Sequence, residues 1–352
     1  MTLSTALEPT STSNLTLNTF NAVANLTGCD TFGNPQGSKT LACLRNLPMG
    51  TLLNITIQQH DSTSSQNDGD VYLPTVDGDF LPSASSELTR QGRFVRMPVI
   101  IGWTEDDGTL FTPANTTMEE FLHIFYPDLT QTTISRLLEL YPVEDFNANT
   151  EAGLSAEFYR TAQVFRDILL VCPSFLFGHA MADKYSQDLA DADEHPEWRG
   201  GPKTGAIPVF LYSFNQTILT PSLESLGSPG LGVIHSSELA YVYASFTAYN
   251  TTGLVNPTEA DYALLEQVSR SWTTFASVGL PTIPGKVTLK GWEGSYHPDV
   301  GMMDAGVYVV GGSDPGVSKL EGKGSNKVLV AQKLKERCGF LNSDAVIEQL
   351  KY

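Results

Sequence analysis

Two short segments of this sequence bring together residue types that can move protons. The first is GWTEDDGTLF, with Glu105, Asp106 and Asp107 in a row. The second is GSPGLGVIHSSELAYVY, which carries His235. Three glycines precede this histidine and let the backbone come close to other groups. The SSELAYVY that follows is patterned as a helix with Ser and an acidic residue at its start. A histidine held between strand and helix by small residues suits a general base. The other five histidines are less suggestive. His60 and His195 stand in polar loops and read as surface residues, and His123 and His179 fall inside helical patterns. His297, in GSYHPD, is open. The acidic trio directly follows the carboxyl end of the best strand in the chain, where open α/β sheets place functional groups. Taken alone, it is an ordinary acidic turn.

An acid followed by a histidine is the order in which the last two members of a Ser–Asp–His set follow the nucleophile on one sheet topology. The nucleophile itself does not appear. No G-x-S-x-G occurs in the 352 residues. GSPG at 227–230 and GGSDPG at 311–316 have the wrong spacing and lie in loops rather than between a buried strand and a helix. The Gly311-Gly312 pair comes after His235, whereas oxyanion donors should precede the acid. The four cysteines read as structural disulfide partners rather than nucleophiles, and three pairings are possible. There is no CxxC and no close His/Cys cluster at zinc-ligand spacing, so neither a metal nor any other cofactor is expected.

Lys and Arg number 21 against 39 Asp and Glu, a formal net charge of -18 that disfavours nucleic acid as a partner. No apolar run approaches the length of a bilayer span. The first residues, MTLSTALEPTSTSN, lack the basic start and apolar stretch of a secretory signal. Six N-x-[ST] sequons nevertheless point outside the cytosol, at Asn14, Asn25, Asn54, Asn115, Asn215 and Asn250.

The elements that must position the two segments read as α/β. Arg93–Trp103 and Ile207–Phe214 are strands with continuous apolar runs, as expected of strands covered on both faces. Between them, 117–126, 133–141 and 154–182 follow helical spacing. A further helix runs from about 257 to 278, with Asn256 as its cap, Pro257 at its first position and Gly279 at its stop. Residues 57–70 read as a surface loop, 284–292 as holding a short strand, 293–325 as irregular and 326–338 as a last helix. Only two strands are convincing, few for a chain of this length.

These segments together resemble the C-terminal part of a type-B carboxylesterase, of the cholinesterase and fungal lipase kind. GCDTFGNPQGSKTLACLRNLP is similar to the small disulfide loop of that family, and VDGDFLP followed by GRFVRMPVIIGWTEDDGTLF to its strand and triad-acid turn. LGVIHSSELAYVY resembles the catalytic-histidine segment, SWTTFASVGLP the W-x-x-FA-x-x-G-x-P stretch, and VCPSFLFG with ERCGF a second disulfide. The resemblance implies an α/β-hydrolase fold, with 1–352 as the C-terminal portion of a single domain whose early strands and nucleophile elbow are missing. It implies Asp107 as the acid, where many members have Glu, His235 as the base and Glu238 as a supporting neighbour. It also implies the pairs Cys29–Cys43 and Cys172–Cys338. The expected activity of the intact protein is hydrolysis of a small or lipophilic carboxylic ester by a secreted serine enzyme, with little or none from this chain as written. A secreted glycoprotein that uses the scaffold for binding is the alternative. A histidine–aspartate pair acting on water ranks last, because nothing supplies oxyanion donors for it.

Overall fold

A computed structural model describes residues 9–31, 33–62, 72–190, 209–297 and 300–350. Three helices come first: α1 (Asn14–Leu26), α2 (Ser38–Arg45) and α3 (Met49–Ser62). Phe20 and Val23 of α1 pack on Leu44, Leu52 and the Cys29–Cys43 disulfide in a small cluster of their own. The helix α3 replaces the expected surface loop as far as Ser62, and 63–70 lie outside the described residues. After α4 (Ser85–Arg90) comes β1 (Val99–Thr104), shorter at its front than the sequence suggests. Pro98, which has no N–H to give to a ladder, stands immediately before it.

Four helices connect β1 to the next strand: α5 (Met118–Phe125), α6 (Gln131–Leu140), α7 (Ala156–Arg166) and α8 (Cys172–Ala190). Thr117, Thr130 and Ser155 cap the first three by accepting a backbone N–H, which satisfies a donor that would otherwise be orphaned. A π-helical turn at Asp167–Val171 joins α7 to α8. By length and composition the Ala156–Lys184 helix could cross a bilayer, but most of it is buried inside this molecule. Next come β2 (Val209–Phe214), α9 (Thr220–Ser225), α10 (Leu239–Val242), α11 (Phe246–Tyr249) and α12 (Glu259–Val278). Ile207 and Pro208 lie outside the described residues. The cap of α12 is Thr258 rather than Asn256, in a reciprocal box with Asp261, and Gly279 ends the helix at φ +74°.

The region expected to be irregular contains two strands, β3 (Val307–Val310) and β4 (Gly316–Ser318), whereas 284–292 has none. β3 is four residues long and β4 three, too short to leave a periodic signature. In place of the anticipated strand, Leu289 donates its N–H to the Ser271 hydroxyl and sits buried against α12. The last helix is broken into α13 (Lys327–Ala331) and α14 (Leu334–Leu341) at Lys333, whose φ is +50°. It is followed by α15 (Asp344–Leu350).

The sheet order is β1-β2-β3-β4, parallel through β3 and antiparallel at β4. Side chains alternate between two apolar layers, as the period of a strand requires. Ile101, Trp103, Val209, Leu211, Val307 and Val309 face the layer built with α5 to α8 and α14. Phe210, Tyr212, Phe214, Tyr308 and Val310 face the layer that holds α12 and Trp292. The sheet is thus covered on both sides, which explains the unbroken apolar runs in β1 and β2. Cys172 and Cys338 join the start of α8 to α14 inside the first layer.

Candidate active site

The carboxyl end of β1 delivers the acidic turn. Glu105 extends the ladder by one bond, donating its N–H to the Phe214 carbonyl at 3.0 Å. The chain then turns so sharply that Gly108 lies against the Ala162 carbonyl of α7, where a Cβ would collide with that oxygen. Asp107 points inward and is almost wholly buried. One of its oxygens, Oδ2, accepts the Thr104 N–H at 2.9 Å. The other, Oδ1, lies 2.6 Å from Nδ1 of His235, which is 128 residues away in the chain. The His235 side chain is 33% exposed and meets the edge of Phe111 at a ring separation of 5.3 Å. The hydrogen bond with Asp107 raises its pKa above the ordinary 6.5, against an opposing effect of burial. Because Nδ1 is committed to Asp107, Nε2 is the nitrogen that can exchange a proton with a reacting group.

The other expected residues lie close by. Asp106 turns to the loop that carries His235: its Oδ2 accepts the Val233 N–H at 2.8 Å and its own N–H donates to the Val233 carbonyl at 3.1 Å. Burial raises its pKa, the Val233 N–H and Arg166 opposing. Glu105 is pushed up to about 7, first by burial and then by Asp106, with Arg166 opposing. Glu238 opens the short α10, and its pKa is likewise raised, mainly by burial. Its Oε2 is buried without a partner among the described residues. Of the remaining histidines, His179 faces Asp183 on α8, His60 ends α3 rather than standing in a loop, and His123 and His297 are exposed. His195 lies outside the described residues.

Beneath the turn is a group of residues that sequence reading passed over. Arg166 and Asp167 form a fully buried pair at 2.6 Å, Arg166 reaches the Glu105 carbonyl at 2.6 Å, and Tyr141 donates to Asp167 at 2.8 Å. The signal was present: two charges stand between Phe165 and Ile168 in an otherwise apolar stripe, and charges so placed must be paired. A cavity of about 360 Å³ opens beside the turn, lined by Glu105, Asp106, Tyr159, Arg166 and Lys327 among others. A larger one of about 620 Å³ is lined by Arg90, His179 and Asp183 among others, and by no residue of the acidic turn or the His235 loop. No group of three or more potential metal ligands occurs among the described residues.

A mostly parallel sheet with helices on both faces, an acid after one strand and a histidine after the next, defines an α/β hydrolase. The crystal structure of Aspergillus niger EstA shares this fold with a TM-score of 0.64 at 17% identity, over 99% of this chain and 58% of that one. The chain belongs to the carboxylesterase family, whose model matches residues 2–303. It is 39% identical to a secreted lipase of Arthroderma benhamiae over 99% of its own length and 57% of the relative's. It is 28% identical to an inactive carboxylesterase-like protein of Byssochlamys spectabilis, over 92% of its own length and 53% of that protein's. The chain therefore spans a little over half the length of these curated relatives.

Proposed function

We propose that these 352 residues are the C-terminal part of a secreted serine carboxylic ester hydrolase, forming one domain with the rest of it and carrying its triad acid and base. The observation behind this reading is the 2.6 Å contact between His235 Nδ1 and the buried Asp107. Asp107 fixes the tautomer and stabilises the imidazolium. Nε2 takes the proton of a serine attacking the ester carbonyl and later returns it to the leaving alcohol, and water then hydrolyses the acyl-enzyme by the same route. Glu238 adds negative charge near His235. The substrate class is a neutral, small or lipophilic carboxylic ester, in keeping with the lipase relatives. Without a G-x-S-x-G in its sequence, the chain by itself cleaves such esters little or not at all.

Two disulfides suit an oxidising compartment. The sequons at Asn14, Asn25, Asn54 and Asn115 are exposed and are the better glycan acceptors. Asn215 and Asn250 are half-buried, and Asn250 exchanges two hydrogen bonds with the Val255 backbone.

The test is a fluorophosphonate probe on the native protein from its source, with intact mass and N-terminal sequence. The expected result is a polypeptide longer than 38.2 kDa, labelled on a G-x-S-x-G serine, with labelling abolished by His235→Ala. A native polypeptide of 38.2 kDa that takes no label would overturn the catalytic reading. It would favour the second one, a non-catalytic secreted glycoprotein that binds through the same scaffold. The inactive carboxylesterase-like relative supports that alternative.

A further inference from the structure

The loop that carries His235 has little regular structure of its own. Gly232 takes φ +73° and Ser236 φ +67°, and between them the chain pairs with no strand. A non-glycine residue in the left-handed region persists only where its surroundings over-determine it. The segment just before Ser236 is held by the acidic turn and by α7. Asp106 makes two bonds to Val233, one through its carboxylate at 2.8 Å and one through its backbone at 3.1 Å. The Thr109 hydroxyl donates to the Leu231 carbonyl at 2.7 Å, and the Tyr159 hydroxyl to the Gly230 carbonyl at 2.7 Å. The Asp106 carboxylate also fills the space above Gly232, where any Cβ would overlap it. The residue beside the acid thus grips the loop two positions before the base, while the acid itself grips the base.

We infer that Asp106 is the positioning residue of this site: by clamping Val233 it fixes the distance between His235 and Asp107. The inference rests on the reading of His235 and Asp107 as base and acid. Its basis is geometric: Asp106 bonds to Val233, whereas the carboxylate bonded to the His235 ring is that of Asp107. An uncharged Asn at 106 can still accept the Val233 N–H and should serve nearly as well, whereas Ala cannot.

The experiment is an NMR titration of the His235 ring in the full chain, with the resonance assigned by His235→Gln and folding monitored by circular dichroism. Asp107→Asn sets the scale by removing the charged acceptor, and should lower the His235 pKa toward 6.5. Asp106→Ala should move it through most of the same interval and broaden the low-field Nδ1 proton. Asp106→Asn should leave both near their wild-type values. Gly232→Ala, which pushes on the same carboxylate from the other side, should act like Asp106→Ala, and the two changes combined should be less than additive. In the unaltered protein the Val233 amide should exchange slowly, a reading that needs no variant to fold.

A wild-type His235 titration in Asp106→Ala, an equal loss in Asp106→Asn, or a fast-exchanging Val233 amide would each overturn the inference. If Asp107→Asn itself leaves His235 unmoved, the acid–base reading fails, and the positioning role falls with it. If Asp107→Asn moves His235 and Asp106→Ala does not, only the positioning role fails.

Discussion

At the scale of single residues, two groups near the turn tie stability to pH in definite directions. His235 has a folded pKa raised above 6.5, chiefly by its bond to Asp107, so its contribution is fully present below 6.5 and is lost as pH rises through the folded value. Urea unfolding between pH 5 and 9 should show the advantage of the wild type over Asp107→Asn shrinking as pH increases. Glu105 behaves differently. Its folded pKa of about 7 exceeds the ordinary 4.5, so the folded state holds the proton more tightly and stability falls as pH rises from 4.5 to about 7. Glu105→Gln should abolish that fall and exceed the wild type at pH 8 by up to about 3 kcal/mol, with no gain at pH 4. The sequence pointed to both segments, because a histidine after glycines and an acid after a buried strand are local patterns. It did not reveal that Asp106 and Asp107 divide their work between loop and imidazole. That division depends on which way each carboxylate points once the turn rests on α7.

At the scale of elements, the strands covered on both faces and the capped helices were legible, and the short ones were not. The apolar stripe of α12 announced itself by spacing, and its Trp272 meets Trp292 at 5.2 Å between rings. Trp292 also packs on Tyr212 and Tyr308 and is 1% exposed. Trp292→Ala should therefore cost about 3–5 kcal/mol in chemical denaturation. The start of α12 was misplaced by two residues, because Asn256 and Pro257 imitate a cap and a first position. The true cap is settled by the reciprocal Thr258 and Asp261 bonds, with Asp261 also bound to Gln216 from beyond β2. Thr258→Ala should cost about 1 kcal/mol in the same assay. β3 and β4 escaped notice because a short strand among glycines is defined by its neighbours in the sheet rather than by its own pattern.

At the scale of the whole molecule, an acidic surface offsets exposed apolar features. Met49, Leu53 and Ile57 recur every four residues on the open side of α3, and Met49 is 82% exposed. Among the described residues, β1 pairs on one side only. Exposed strand edges and apolar stripes favour association, and a net charge of -18 opposes it. Light scattering should therefore rise as pH falls toward the sequence pI of 4.6, and Leu53→Glu should move the onset to lower pH. The bond between Cys172 and Cys338 has a different consequence. It closes a covalent ring that contains β2, His235 and β3, while Asp107 sits on the tail that enters the ring at Cys172. A protease that cuts once between Cys172 and His235 opens the ring without dividing the molecule. Asp107 and His235 then lie on pieces that only a reducing agent can part, so a nicked chain would run intact on a non-reducing gel and as two bands on a reducing one.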